Sequence, residues 1–264
     1  MTPEALQQRY LFAREVAEAA AAFAFTFFRQ RAQLAVERKE GNMQDLVSRA
    51  DREVEELIHN RLQQQFPQDG FLGEEGGGTQ AGADTLWVVD PIDGTSCFLN
   101  GLPTWCVSIA VIIDGEPAIG VICDPNHNEV FHACKGGGAW LNDAPIQVHP
   151  GLTLNEGLTG ISNSPKMAPE KISGFIQRLL QAEGMFVRSG SGALTTAWVA
   201  AGRLIGFYEP RMNAWDALAG VVLVREAGGV SNDFLAGEGL KYGNALLLGN
   251  PAIYQQIRAL SEHG

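Results

Sequence analysis

The stretch Trp87–Phe98, "WVVDPIDGTSCF", decides how this chain is read. Three apolar residues lead into an acid, a proline, a second acid, a glycine and two hydroxyls. A residue before proline is pushed toward extended geometry, so Asp90 can close a strand. Pro91 sets one φ angle, and Gly94 permits a sharp turn. Asp90 and Asp93 therefore leave one strand facing the same space. Two such carboxylates repel unless one is protonated or a cation separates them. Hard divalent cations such as Mg²⁺ take oxygen ligands of this kind. An Asp-Pro turn with a capping Asp explains a lone "DP", but not a second acid and a hydroxyl beyond the glycine.

Outward from this stretch, the pattern is that of a sheet. Upstream, "FLGEEGGGTQAGADT" reads as a glycine-rich loop carrying Glu74 and Glu75. Downstream, "WCVSIAVIIDGEPAIGVICD" is a hairpin: two β-branched runs meet at Asp114-Gly115, a favoured tight-turn pair. "EVFHAC" and "GAWLND" extend it. Helices are expected over about 3–33 and 48–66; in the second, Val54, Leu57, Ile58, Leu62 and Phe66 recur at helical spacing. Residues 1–150 thus read as an N-terminal α+β lobe of two helices on a mainly antiparallel sheet, carrying most of the candidate site. Pro145, Pro150 and Gly151 mark a change of rhythm. In 151–264, strands at "GLTGIS", "MFVR", "LIGFYE", "GVSND" and "ALLLGN" alternate with helices expected over about 169–183, 192–201, 214–227 and from Pro251. That alternation suggests a C-terminal α/β lobe.

Composition narrows the function. The 264 residues fit one large domain or two lobes. The net charge is -11 with no basic stripe, which argues against direct nucleic-acid binding. It does not argue against an anionic small substrate, because bound cations invert the local field. "AEAAAAFAFTFF" is preceded by acids and is too short to span a bilayer, so no membrane association is expected. Cys97, Cys106, Cys123 and Cys134 form no CxxC, which disfavours structural zinc. A chain of this size needs no disulfides, and a cytoplasmic setting is expected. His59, His127, His132, His149 and His263 are scattered and read as structural.

Other acids have ordinary explanations when taken singly. Asp216, in "NAWDALAGVVLVREAGG", opens an apolar helix and would meet its dipole. Asp51, in "SRAD", fits a capping-box pattern. A GEE loop, a DPIDGT strand exit and a WD helix start, in this order, are harder to explain apart. Together they resemble the inositol monophosphatase family, within the Mg²⁺-dependent, lithium-sensitive phosphatases. The resemblance also covers "DLVSRADREVEELI", "GVICDPNHNEVFHACKGGGAWLN" and "VAAGRLIGFYE".

The resemblance implies a layered αβαβα sandwich of the inositol monophosphatase and fructose-1,6-bisphosphatase type. It implies two or three Mg²⁺ per site, with Glu74, Asp90, Asp93, Asp216 and the Ile92 carbonyl as ligands. Asp51 and Thr95 would activate the attacking water, and Glu74 counts with them as catalytic. Asp93, Gly94, Thr95, Ser191, Gly192, Glu209 and Asp216 would contact substrate, Glu209 through a substrate hydroxyl. The implied reaction is hydrolysis of a small phosphorylated alcohol, foremost myo-inositol phosphate, to alcohol and phosphate. A homodimer is implied as well. Histidinol phosphate, fructose bisphosphate and nucleotide 3'-phosphates are alternative substrates: "GLPTW" resembles histidinol-phosphatase members, whereas Trp215 and Glu209 lean toward the inositol branch. A non-catalytic alternative is a partner of the transcription machinery, as for some bacterial relatives. Phosphatases with an aspartate nucleophile also carry a D…DGT signature, but with acids two apart; the spacing of Asp90 and Asp93 removes that covalent reading. Departures fall on the alcohol side: Lys39 stands out of register, Asn213 replaces a frequent histidine, and Arg211 and Met212 are unusual.

Overall fold

Alternation along the central strands builds the layers. A computed structural model describes residues 1–33, 36–38, 46–79, 83–164 and 167–262. The first half runs α1 (Pro3–Arg29), β1 (Val36–Arg38), β2 (Leu46–Ser48), α2 (Arg49–Gln65), β3 (Gly70–Gly73), β4 (Gly77–Thr79), β5 (Thr85–Asp93), α3 (Thr95–Asn100), β6 (Cys106–Ile113), β7 (Glu116–Asp124), β8 (Glu129–Cys134), β9 (Ala139–Leu141) and β10 (Ala144–Ile146). The second runs β11 (Leu158–Ile161), α4 (Pro169–Gln181), β12 (Met185–Val187), α5 (Gly192–Ala200), β13 (Gly206–Met212), α6 (Ala214–Glu226), β14 (Val230–Ser231), α7 (Gly239–Tyr242), β15 (Asn244–Gly249) and α8 (Pro251–Glu262). Among the described residues the strands form an eight-stranded sheet ordered β10-β9-β8-β7-β6-β5-β3-β4, a five-stranded sheet ordered β12-β11-β13-β15-β14, and the small β1–β2 pair.

In β5, Trp87 and Val89 face one way and Leu86 and Val88 the other. β6 does the same with Val107, Ile109 and Val111 against Ala110 and Ile112. The first face is covered by α1, through Ala13, Val16, Ala17, Ala20 and Ala24, and by α2, through Val54, Ile58 and Leu62. The opposite face meets α5 and α6. In α6, Ala217 to Val224 are all buried, because this helix lies between two sheets and has no solvent side. Beyond it, the five-stranded sheet turns Phe207, Leu246 and Leu248 inward. Tyr208 and Leu247 point outward, onto Phe175 and Leu179 of α4 and Ile253 and Ile257 of α8. Each large side chain so buried is worth about 1.5–3 kcal/mol. The result is the αβαβα sandwich expected from the resemblance.

Three local expectations are corrected. The first helix ends at Arg29, not near 33: the Gln30 amide turns back to the Phe27 and Phe28 carbonyls, and residues 31–33 make one 3-10 turn. The glycine-rich stretch is not all loop, because β3 and β4 pair with Gly73 opposite Gly77 and leave Glu74, Glu75 and Gly76 as their turn. The central strand does not stop at Asp90. It continues through Pro91 to Asp93, with a register shift where Asp90 lies opposite Ser108 and Asp93 opposite Cys106. A bulge is where a sheet tolerates a proline, since its missing N–H breaks no ladder bond there.

The four cysteines are free and buried. No helix among the described residues is long and apolar enough to cross a membrane. Four histidines have structural surroundings: His127 pairs with Asp124, His132 sits between Tyr10 and Asn142, His149 accepts from the Gly151 amide, and His59 packs on Phe71. His263 and Lys39 lie outside the described residues.

Candidate metal centre

Three elements that are distant in sequence bring their carboxylates to one point. Glu74 comes from the β3–β4 turn, Asp90 from the bulge of β5, and Asp216 from the first turn of α6. One oxygen from each lies within 4.8 Å of the others. The bulge explains how Asp90 is aimed: its Oδ1 accepts the Ile92 amide at 2.9 Å, which tightens the turn across Pro91. Asp216 is held by the Asn213 side-chain amide, which donates to Oδ2 at 3.2 Å. The Glu74 amide donates to the Val89 carbonyl at 3.2 Å, tying the turn to the edge of β5.

Asp93 sits beside this cluster but is aimed across the sandwich. Its Oδ2 accepts the Ser191 hydroxyl at 2.5 Å and the Ala193 amide at 2.7 Å. Ser191 also caps α5 by accepting the Leu194 amide at 3.1 Å, so its hydroxyl is engaged within the protein. Gly192, next in the chain, leaves room for the Met212 side chain and lies near Glu209. Glu209 is buried at the end of β13.

On the other side of the acids, α3 begins at Thr95. Gly94 takes φ 93, and a Cβ there would sit 2.9 Å from the Thr104 carbonyl, so only glycine fits this turn. The Thr95 hydroxyl lies 3.1 Å from the Ile92 carbonyl and 3.3 Å from Asp51 Oδ1. Asp51 is buried and faces Thr95. The "GLPTW" segment is also explained by packing. Thr104 donates to the Ser189 carbonyl at 2.9 Å, and Trp105 packs edge-on against Phe98.

Burial and mutual repulsion set the electrostatics. Burial first, then the charges of Glu74 and Asp216, hold Asp90 well above the usual carboxylate range. Burial and the charge of Asp93 push Asp216 up to about 8. Asp93 rises less, to about 6, because the hydrogen bonds from Ser191 and Ala193 favour its charged form against burial. Glu209 rises to about 8 through burial and the Asp216 charge. Among the described residues no lysine or arginine forms an ion pair with Asp90, Asp93 or Asp216. Arg211 is directed elsewhere, with Nε and Nη2 donating to the Tyr242 carbonyl at 3.0 and 2.7 Å.

The donor set fits a hard cation. Among the described residues the converging acids offer oxygen ligands, and no lysine or arginine pairs with Asp90 or Asp216. Three neighbours of the site were not expected there from the sequence. The Cys106 thiol lies under Asp93 and 3.6 Å from the Ser191 hydroxyl. The Ser108 hydroxyl donates to the Trp215 carbonyl at 3.0 Å, joining β6 to the start of α6. Glu55 contacts the β3–β4 turn. The first two lay in apolar strand patterns, and the third lies on a helix whose contact with the turn arises only in the fold.

Five layers with acids converging where β5 meets α6 define an αβαβα-sandwich protein with a candidate cation centre. The chain belongs to the inositol monophosphatase family, whose model matches residues 5–263. It is 43% identical to a Nus factor SuhB of Xylella fastidiosa over 72% of this chain and 70% of that one. It is 38% identical to an inositol-1-monophosphatase of Mesorhizobium japonicum over 81% of each. The crystal structure of the extragenic suppressor protein suhB from Bartonella henselae superimposes with a TM-score of 0.86 at 32% identity, covering 95% of this chain and 96% of that one.

Proposed function

We propose that this protein is a Mg²⁺-dependent phosphate monoester hydrolase whose first substrate to test is myo-inositol phosphate. The observation that carries the reading is the meeting of the half-buried Glu74 and Asp216 with the buried Asp90, three carboxylates offering oxygen ligands to one point. These three, with Asp93 and the Ile92 carbonyl, would hold Mg²⁺. Bound there, Mg²⁺ supplies positive charge beside the phosphate and lowers the pKa of water. The chain's own groups do the rest. The Thr95 hydroxyl, between Asp51 and the Ile92 carbonyl, orients a water, and Asp51 takes the proton. Gly94 and Thr95 offer backbone amides to phosphate oxygens. Glu209, beside Gly192, meets a hydroxyl of the alcohol. The relative named inositol-1-monophosphatase supports this substrate. The resemblance behind the reading also carries a homodimer, which light scattering would report as twice the chain mass.

The test is phosphate release with Mg²⁺ and with chelator, across inositol phosphates, histidinol phosphate, fructose bisphosphate and adenosine 3',5'-bisphosphate. Release from inositol phosphate that chelator abolishes and Asp93→Asn removes is the expected result. Release that is unchanged in Asp93→Asn would sink the assignment of that acid, and no release from any ester would sink the hydrolase reading.

The Nus factor names of several relatives favour a second role, as a binding partner of the transcription machinery. Binding to RNA polymerase or its elongation factors that survives Asp93→Asn, in a variant without turnover, would separate that role from hydrolysis.

A further inference from the structure

Two glycines, one at the end of β3 and one in the turn that carries Glu74, mark a contact outside the acidic centre. Glu55 lies on α2, four residues after Asp51, and is buried. Its Oε2 accepts the Glu75 amide at 2.9 Å, and its Oε1 accepts the Gly76 amide. With the Glu74 amide bound to the Val89 carbonyl, the turn is held from two sides. A Cβ at Gly73 would overlap the Glu55 carboxylate, and one at Gly76 would stand 2.6 Å from Oε1. Neither glycine is among the residues with positive φ. These positions are small to admit a carboxylate, not to free the backbone.

A carboxylate that accepts two backbone amides makes charge-assisted bonds, stronger than neutral ones. It also fixes the turn's direction, since both oxygens are engaged. Residues four apart on a helix share a face, so one side of α2 presents Asp51 to Thr95 and Glu55 to the Glu74 turn. We propose that Glu55 is a positioning residue: seated in the Gly73–Gly76 cradle, its carboxylate holds the β3–β4 turn so that Glu74 stays within reach of Asp90 and Asp216. The proposal rests on reading Glu74 as a cation ligand.

The test uses the full chain and Mg²⁺ alone. Mg²⁺ affinity is measured by calorimetry, and amide hydrogen exchange is followed at Glu75 and Gly76 without metal. Groups that orient metal ligands typically cost 10- to 100-fold in affinity when removed, so Glu55→Gln is expected to weaken Mg²⁺ about tenfold or more. Exchange at the two amides should speed up while β5 and β6 stay protected, and saturating Mg²⁺ should restore most of kcat. Gly76→Ala, which keeps the carboxylate but displaces it, should weaken Mg²⁺ in the same direction. The proposal falls if Glu74→Gln weakens Mg²⁺ while Glu55→Gln leaves affinity and both amides unchanged. It also falls if Glu55→Gln loosens β5 and β6 as much as the turn, which marks a merely structural role. If Glu74→Gln itself leaves Mg²⁺ binding intact, the cation reading fails instead, and exchange at Glu75 and Gly76 alone decides whether the clamp exists.

Discussion

Thr95 shows how far one side chain depends on what surrounds it. In sequence it is a hydroxyl after a glycine; in the fold it lies between the Ile92 carbonyl and a buried Asp51 from another element. A proton leaving a water at Thr95 has a short path to a carboxylate. Removing that hydroxyl should slow the chemical step without loosening the substrate, because in the proposed reading phosphate would be held by the Gly94 and Thr95 backbone amides and the alcohol by Glu209, not by this side chain. Thr95→Ala is expected to lower kcat by roughly 10²–10⁴, the usual weight of proton transfer by a positioned group, with KM within a few-fold. Steady-state kinetics on the preferred ester reads this directly; a rise in KM with kcat intact would contradict the assigned role.

At the scale of elements, glycine sets how closely the middle layer packs. α6 carries Gly220 against α5, and a Cβ there would overlap the Thr196 side chain, which is itself fully buried. Gly120 of β7 likewise admits the Ala219 carbonyl of α6. These contacts fix the height of α6 over the sheet, and so the distance of Asp216 from Asp90. Overpacking a dense core costs about 1–3 kcal/mol. Gly220→Ala should therefore lower the unfolding free energy by that amount, seen as a lower denaturant midpoint with an unchanged slope. Because α6 would be displaced, Mg²⁺-dependent turnover should fall as well. An unaltered midpoint would mean that the helices are not in the close contact described.

Across the whole molecule, the cost of gathering acids is a pH dependence. Burial and mutual repulsion push Asp216 and Glu209 up to about 8 and Asp93 up to about 6, and hold Asp90 well above the usual range. Below about pH 4 these groups are protonated both folded and unfolded. As pH rises, the unfolded chain releases its protons while the folded protein retains them, so stability falls between about pH 4 and 8. A tenfold difference in proton affinity between the two states is about 1.4 kcal/mol, so even a part of these shifts is visible in a melt. Metal-free protein should melt at a lower temperature at pH 8 than at pH 5.5. Mg²⁺ should raise the melting temperature most at pH 8, because a ligand of the ionised site stabilises only the folded state. Thermal melts with and without chelator at the two pH values check this. A Mg²⁺ effect equal at both would contradict the link between the acids and the ion.

Much of the fold was legible in local pattern. The continuous β-branched apolar runs of β6 and β7, buried on both faces, the Asp114-Gly115 turn and the apolar helix after Asp216 each declare their state through short-range sterics and hydropathy. The DPIDGT spacing announced two acids at one strand end for the same local reason: Pro91 and Gly94 constrain the backbone around them. What the sequence could not state is which distant groups meet there. That Asp93 turns to Ser191 and Ala193, that Thr95 meets Asp51, and that Glu55 holds the Glu74 turn all follow from the stacking of layers. Local preference reaches a few residues along the chain. The bulge at Pro91, the height of α6 and the burial that raises the acids arise only when separate elements compete for the same space, and that competition the tertiary structure alone decided.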